Sequence, residues 1–273
     1  MRSSTRLAPL TERQIRLLER SAIAAVQAVV PKVRRARARP VALERKAEGD
    51  FVTAVDHAAQ TSVQRCLAKL HPEHGFLGEE AGGTRLDAEF VWVVDPIDGT
   101  SNFGRGLPTF AISVACVRAG HPVAAAVHSW PENVVYSAGL GIGTRRAGRR
   151  LEIPVGRCDD GAILGVQWIR GEREVPFLDR LLATGARIRV LGSTVVQFCE
   201  VARGSLDGNV QQQGRIWDLA ACGLIASEAG ARFTDFAGRP VLPFPTLAGD
   251  VHYPSVVGSQ SVVKHLLRAL ARP

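Results

Sequence analysis

Apolar residues Ile15, Leu18, Ala22, Ala25, Val26 and Val29 recur every three or four positions with charged residues between them. This spacing predicts an amphipathic helix over residues 11–30 that stops near Pro31, whose ring removes a backbone donor. A second helix is expected after Thr53, with Ala59, Val63, Cys66, Leu67 and Leu70 on one face and Asp56 in its first turn, free to point elsewhere. Residues 90–95, 109–118, 121–129 and 133–139 read as strands separated by turn residues, a meander of the kind antiparallel sheets use. Residues 141–148 form a basic, glycine-rich hairpin or loop. From about residue 160 the pattern alternates: strand 162–168, helix 174–183, strand 187–191, helix 194–203, a short strand near 206–211, helix 217–229 and strand 231–234. Such alternation implies a sheet covered by helices.

The fold class expected is therefore α/β (α+β), with an antiparallel meander sheet in the N-terminal half (about 1–150) and a helix-covered mixed sheet in the C-terminal half (about 151–273). No repeat, low-complexity tract or long polar linker separates the halves, so residues 1–273 are expected to pack as one unit.

Composition bounds the classes that remain. With 46% hydrophobic residues, 273 residues can bury a sizeable core. Glu12, Arg13, Arg16, Glu19 and Arg20 interrupt the apolar positions behind the basic first residues, so neither a signal peptide nor a membrane span is expected. Five scattered cysteines, Cys66, Cys116, Cys158, Cys199 and Cys222, lack CxxC pairs; reduced thiols in a cytoplasm fit them better than disulfides or zinc. The formal charge of +8 comes mostly from Arg. It reads either as genome base composition or as a surface for anionic partners, nucleic acid included. The densest run, Lys32 to Arg39, has no interleaved aromatic residue to stack a base and reads first as a solvated helix end or loop.

The chemistry concentrates in Asp95-Pro96-Ile97-Asp98-Gly99-Thr100-Ser101-Asn102-Phe103, entered from the apolar stretch Phe90 to Val94. Its D-P-x-D-G-T pattern arises by chance in on the order of one in 10⁴ chains of this length. Pro96 is expected to end the strand. If a helical turn begins at the glycine, the Gly99 and Thr100 amides point outward to bind an anion. Taken alone, Asp95 and Asp98 could equally cap a turn. Glu79 and Glu80 follow the apolar run Phe76-Leu77, and Asp218 opens an apolar helix where the macrodipole favours an acid. Acids at several strand-to-helix junctions converge readily on one sheet edge, where layered α/β folds bind ligands. Hard oxygen donors in that number suit magnesium or manganese rather than zinc. No partnered Ser, Cys or His nucleophile is evident among these residues, and of the seven histidines His57, His71 and His74 read as surface or turn residues.

The segments Gly49 to Asp56, Gly78-Glu79-Glu80, Asp95 to Phe103 and Trp217-Asp218 closely resemble the inositol monophosphatase family of magnesium-dependent, lithium-sensitive phosphatases. They run in the family's order from about residue 49 to 240. The resemblance implies a five-layered αβαβα sandwich and a cytoplasmic homodimer with two or three Mg2+ per site, Mn2+ being a possible substitute. Carried over by motif, Glu79, Asp95 and the Ile97 carbonyl would hold one metal, and Asp95, Asp98 and Asp218 a second. Thr100 and Glu79 would orient and activate the attacking water. Asp56 would stand behind Thr100 or serve a third, weaker metal position. Substrate contacts would come from Asp98, Gly99, Thr100, Ser193, Gln211 and Asp218.

Hydrolysis by direct water attack needs positioning and charge stabilisation rather than a covalent nucleophile. A rival scheme with an aspartyl-phosphate on Asp95 usually carries its acid pair two residues apart, whereas this pair is three apart. The motifs do not separate inositol phosphate, histidinol phosphate, fructose 1,6-bisphosphate or adenosine 3′,5′-bisphosphate as substrates. Inositol-directed members carry a Glu where this chain has Gln211, so a neutral polyol or sugar monophosphate is the expected substrate. Arg215 is either a second anion contact or exposed. Lys46, beside Gly49, would lie in a loop that closes over the metals. A reading of a different class makes the basic surface a site for RNA or a transcription partner.

Overall fold

The computed structural model describes residues 8–38, 42–47, 50–167 and 175–271. Gly49 and the Lys46 side chain, and with them the expected closing loop, lie outside the described residues, as do Trp168 at the end of a predicted strand and Arg39 at the end of the basic run.

Helix α1, Glu12–Arg37, starts at Thr11, which forms a capping box with Gln14, and its apolar stripe is buried as predicted. It does not stop at Pro31. Proline costs an interior helix about 3 kcal/mol, yet the turns beyond it are held by tertiary contacts. Val33 is fully buried, and Arg34 and Arg37 each lie 6.0 Å from the Trp130 ring. After the short pair β1 (Glu44–Ala47) and β2 (Asp50–Val52) comes α2, Ala54–Leu70, which packs against α1. Its first-turn Asp56 is fully buried and off the apolar stripe.

Strands β3 (Gly75–Gly78), β4 (Gly82–Thr84), β5 (Val91–Asp98), β6 (Ala111–Arg118), β7 (His121–Ser129), β8 (Val134–Gly139), β9 (Gly143–Arg146) and β10 (Arg149–Leu151) form one sheet, with helix α3, Thr100–Gly104, between β5 and β6. Its order is β10-β9-β8-β7-β6-β5-β3-β4. From β5 to β8 it is the predicted antiparallel meander, which β9 and β10 continue, while β3 lies parallel to β5.

The second sheet has the order β12-β11-β13-β15-β14, from β11 (Ile163–Val166), β12 (Arg187–Arg189), β13 (Gly208–Gly214), β14 (Arg232–Thr234) and β15 (Tyr253–Gly258). Four helices accompany it: α4 (Val175–Leu182), α5 (Thr194–Ala202), α6 (Ile216–Glu228) and α7 (Gln260–Leu270). β11 is parallel to both β12 and β13, and β15 runs antiparallel between β13 and β14.

Alternating residues of β5 reach opposite faces, as a strand's two-residue period requires. Trp92 and Val94 pack with Leu18, Val26, Val63 and Leu67 of α1 and α2. Val91 and Val93 join Val196, Cys199, Leu219 and Ala220 of α5 and α6, together with Phe233 and Val257 of the small sheet. On that sheet's far face Leu164, Val210 and Val256 meet Leu181 of α4 and Val262 and Leu266 of α7. The layers are thus α1/α2, large sheet, α5/α6, small sheet and α4/α7, the αβαβα sandwich.

Candidate active site

Pro96 was expected to end its strand, but β5 continues to Asp98 through a bulge. Asp95 pairs with Ser113 and Asp98 with Ala111, so three steps on β5 match two on β6. In a regular strand, residues three apart face opposite sides of the sheet. The extra residue corrects that parity and accommodates a proline that cannot donate to the ladder. Asp95 Oδ1 accepts the Ile97 N–H at 2.9 Å, which holds the bulge.

Three other elements bring their residues to this strand end. The parallel pairing of β3 with β5 extends past Gly78 through Glu79 N–H donating to Val94 O at 3.2 Å, which sets Glu79 beside Asp95. Buried Gln60 of α2 accepts the Glu80 N–H at 2.9 Å and holds that turn. Asp218 lies in the first turn of α6, where its Oδ2 accepts the Arg215 N–H at 2.8 Å. The Ser113 hydroxyl, on the strand beside Asp95, donates to Trp217 O at 3.3 Å and fixes the start of α6 against the large sheet.

Asp98 accepts from the hydroxyl of Ser193, the N-cap of α5, and from Val195 N–H at 2.8 Å. Asp56 accepts from the Thr53 hydroxyl and amide within a capping box. Its Oδ1 lies 3.0 Å from the Thr100 hydroxyl, which is also 2.9 Å from the Ile97 carbonyl.

Backbone conformation shapes the rest. Gly99 has φ +93°, and a Cβ there would meet Thr109 O at 3.0 Å and Gly192 O at 3.1 Å. Asn102 straps this turn to the small sheet, donating to Thr109 O at 2.7 Å and Leu191 O at 2.8 Å. Gly192, with φ +74°, lets the strap approach, since a Cβ would sit 2.8 Å from Asn102 Nδ2.

Glu79, Asp95, Ile97, Asp98, Gly99, Thr100, Ser101, Gln167, Gly192 and Asp218 line a cleft of about 150 Å³. Ligand oxygens of Asp95, Asp98 and Asp218 lie within 4.8 Å of one another. Burial, reinforced by the charges of Glu79, Asp98, Asp218 and Asp56, holds the Asp95 carboxyl well above the ordinary carboxylate range. Asp218 is likewise held well above it, by burial and then by Asp98 and Glu79. Burial lifts Asp98 to about 6 against the opposing hydrogen bonds of Ser193 and Val195. Burial also raises Asp56. Among the described residues no Lys or Arg forms an ion pair with Asp95, Asp98 or Asp218. A buried cluster of like charges is not stable as it stands; it must take up protons or cations. The oxygen donor set fits magnesium or manganese.

The family model described as "Inositol monophosphatase family" matches residues 15–272. The chain belongs to the inositol monophosphatase family. It is 34% identical over 234 residues to an inositol-1-monophosphatase of Rhizobium meliloti, covering 84% of this chain and 85% of that one. It is 34% identical over 208 residues to Nus factor SuhB of Pseudomonas aeruginosa, covering 72% and 77%. The extragenic suppressor protein SuhB of Bartonella henselae superposes with a TM-score of 0.81 at 25% identity, over 96% of this chain and 99% of that one.

The fold thus brings Glu79, Asp95, Ile97, Asp98, Gly99, Thr100 and Asp218 together around one cleft, with Asp56 and Ser193 one contact behind. Gln211 is not in the cleft wall: it is 1% exposed, and its amide donates to Thr194 Oγ1 at 2.9 Å. Arg215 stacks over the Trp217 ring at 5.5 Å and is half-buried. Asn102 and Gln167 were missed by sequence reasoning. Asn102 lay inside the quoted motif but carried no chemical signature, and Gln167 ends a strand without any motif. His74, read as a surface or turn residue, ends the turn before β3 with its side chain only 7% exposed.

Proposed function

We propose that this chain is a divalent-metal-dependent phosphomonoesterase that hydrolyses a small polyol or sugar monophosphate by direct attack of water. The observation that carries this reading is the convergence of Asp95, Asp98 and Asp218 within 4.8 Å, with no Lys or Arg ion-paired to them among the described residues. Glu79, Asp95 and the Ile97 carbonyl would hold one ion, and Asp95, Asp98 and Asp218 another. Such ions, when bound, supply positive charge that draws a phosphate ester to the acids, makes water more acidic and stabilises the departing alkoxide.

The remaining work belongs to the chain. Glu79 and Thr100 orient the attacking water, and the single Thr100 hydroxyl proton is directed by Asp56 or by the Ile97 carbonyl. Asp56 is fixed for this by Thr53, so α2 sets the water's position from outside the cleft. The Gly99 and Thr100 amides receive the phosphate, with Gly99 leaving the backbone open to close approach. Asp98, held by Ser193 and Val195, keeps a fixed position for its ion. The same reading includes inhibition by lithium and a homodimeric, cytoplasmic enzyme.

Phosphate release from inositol 1-phosphate, fructose 1,6-bisphosphate, histidinol phosphate and adenosine 3′,5′-bisphosphate, with magnesium and with or without lithium, tests it. One preferred, lithium-inhibited substrate is expected; no release from any ester, with magnesium bound, would sink the reading. A second reading draws on the groove between α1 and β8–β9, which is lined by Arg16, Arg20 and Arg145, and on the relative named as a Nus factor. It makes this face a surface for RNA or a transcription partner. Binding to one defined RNA with sequence preference, beyond the salt-sensitive retention any basic protein shows, would support it.

A further inference from the structure

We propose that Gln167 binds the alcohol part of the substrate, hydrogen-bonding a hydroxyl beside the scissile ester and so selecting uncharged, hydroxylated alcohols. This rests on the phosphomonoesterase reading and deepens it. Gln167 directly follows β11, the strand flanked in parallel by β12 and β13. It therefore stands at the carboxyl end of the parallel strands, where open α/β sheets form their binding crevice. Its backbone is anchored, with the N–H donating to Val210 O at 3.3 Å, and it lines the cleft together with the four acids and Gly192.

What singles out this side chain is that its carboxamide is unspent. Its Oε1 is buried without any partner, and the side chain makes no hydrogen bond among the described residues. A buried polar group left unpaired is costly, so a ligand that supplies its partner gains affinity. Asp98 is already engaged with Ser193 and Val195, Thr100 with Asp56, and the neighbouring Asn102 with two carbonyls. Gln211, the glutamine expected at the substrate, donates its amide to Thr194, and although its Oε1 is also unpartnered it does not line the cleft.

The chemistry of the amide names the ligand class. A carboxamide both donates and accepts, as a hydroxyl does, and carries no charge. A cationic amine would be matched by a carboxylate and a second phosphate by a guanidinium. The phosphate is held at the acid end of the cleft, which leaves the adjoining alcohol to face Gln167.

The test is steady-state kinetics, in saturating magnesium, of wild type and Gln167→Ala on two esters. Inositol 1-phosphate has hydroxyls beside the ester, and phenyl phosphate has none. The variant is expected to raise KM for inositol 1-phosphate about tenfold, the effect of one lost hydrogen bond. Its kcat should change less than threefold and its KM for phenyl phosphate should not move. Calorimetric magnesium binding should match wild type. Should the Ala variant unfold, the near-isosteric Gln167→Met provides the same comparison.

An equal shift in KM on both esters, no shift on either, or a wild type that prefers phenyl phosphate overturns the assignment while leaving the phosphatase reading intact. A wild type that hydrolyses neither ester, nor any phosphomonoester, overturns both.

Discussion

Among the described residues, two clusters of potential metal ligands bring their ligand atoms close together. Asp95, Asp98 and Asp218 offer oxygens within 4.8 Å of one another, and so do the ligand atoms of His71, Glu73 and His74. Only the first is built to receive an ion. Its carboxylates come from β5 and α6, face one cleft and form no ion pair with Lys or Arg among the described residues, so folding leaves their charge largely unbalanced. The histidines are partly engaged, although His74 Nδ1 is buried without a partner. His71 Nε2 is 2.9 Å from Ser21 Oγ, and His74 Nε2 is 3.2 Å from the exposed Glu73 carboxylate.

The two imidazoles stack on each other with centroids 4.5 Å apart and planes 13° from parallel, and His74 also stacks on Phe90 at 4.9 Å. An imidazole binds metal in the plane of its ring, and two stacked planes share no point where one ion can sit. Ligand type and proximity therefore do not make a site. A site also needs donors that converge and that the fold has left unpaired.

The sharpest way to break this contrast is substitution in the acid cluster. Asp98→Asn and Asp218→Asn should each cut phosphate release by on the order of 10²–10³-fold at limiting magnesium, the scale of removing one preorganised charge-stabilising group. Metal-free melting temperatures should not fall, because each change removes a like charge from a buried cluster. Near wild-type turnover in either variant would show that the metal assignment is wrong.

In the other cluster, His74→Asn should leave the magnesium dependence of activity within twofold of wild type. It should cost about 1 kcal/mol of stability through the lost ring stack, read as a lower urea midpoint. A large rise in the magnesium requirement would mean the histidine cluster does take part in metal binding.

Acid should separate the clusters further. Burial lowers both His71 and His74 below the ordinary value of 6.5, and His71 lowers His74 further. For a histidine whose folded pKa is depressed, the unfolded chain binds the proton more readily. Stability is then full above the unfolded value and is lost as pH falls through the folded one. In saturating magnesium, melting temperature should therefore fall from pH 7 to pH 5 more steeply in wild type than in a His71→Asn, His74→Asn double variant. Parallel curves would remove the stack from the account.

The smallest expected effect is Thr53→Ala. Loss of the cap should cost about 1 kcal/mol of stability and, by freeing Asp56, lower kcat less than tenfold, with KM unchanged. A kcat equal to wild type would show that Asp56 needs no support from Thr53.

Much of the fold was legible because it is written locally. The stripes of α1 and α2, the meander from β5 to β8 and the alternation beyond residue 160 follow from side-chain period, and strand β7 spans residues 121–129 as predicted. Strand β15 was missed because its place between β13 and β14 depends on a partner far along the chain, and α7 because its stripe of Val262, Val263, Leu266 and Ala269 was not followed to the C-terminus. Both prolines misled for one reason. Pro31 and Pro96 break regular structure in isolation, but the Trp130 contacts hold α1 together and the bulge absorbs the missing donor of β5.

By itself the sequence determined which residues are candidates to carry chemistry, since the D-P-x-D-G-T run, the Glu79-Glu80 pair and Trp217-Asp218 are specific patterns of residue type. Only the tertiary structure decided which of them share a cleft and which amide faces it. The parity correction at β5, the Ser113 tie to α6 and the Asn102 strap have no local signature, and it is the pairing of β11 with β13 that puts Gln167 at the cleft while Thr194 holds Gln211 behind it. Residue type fixes what a side chain can donate or accept. Which way it points is set by backbone register, and register is set by partners distant in the chain.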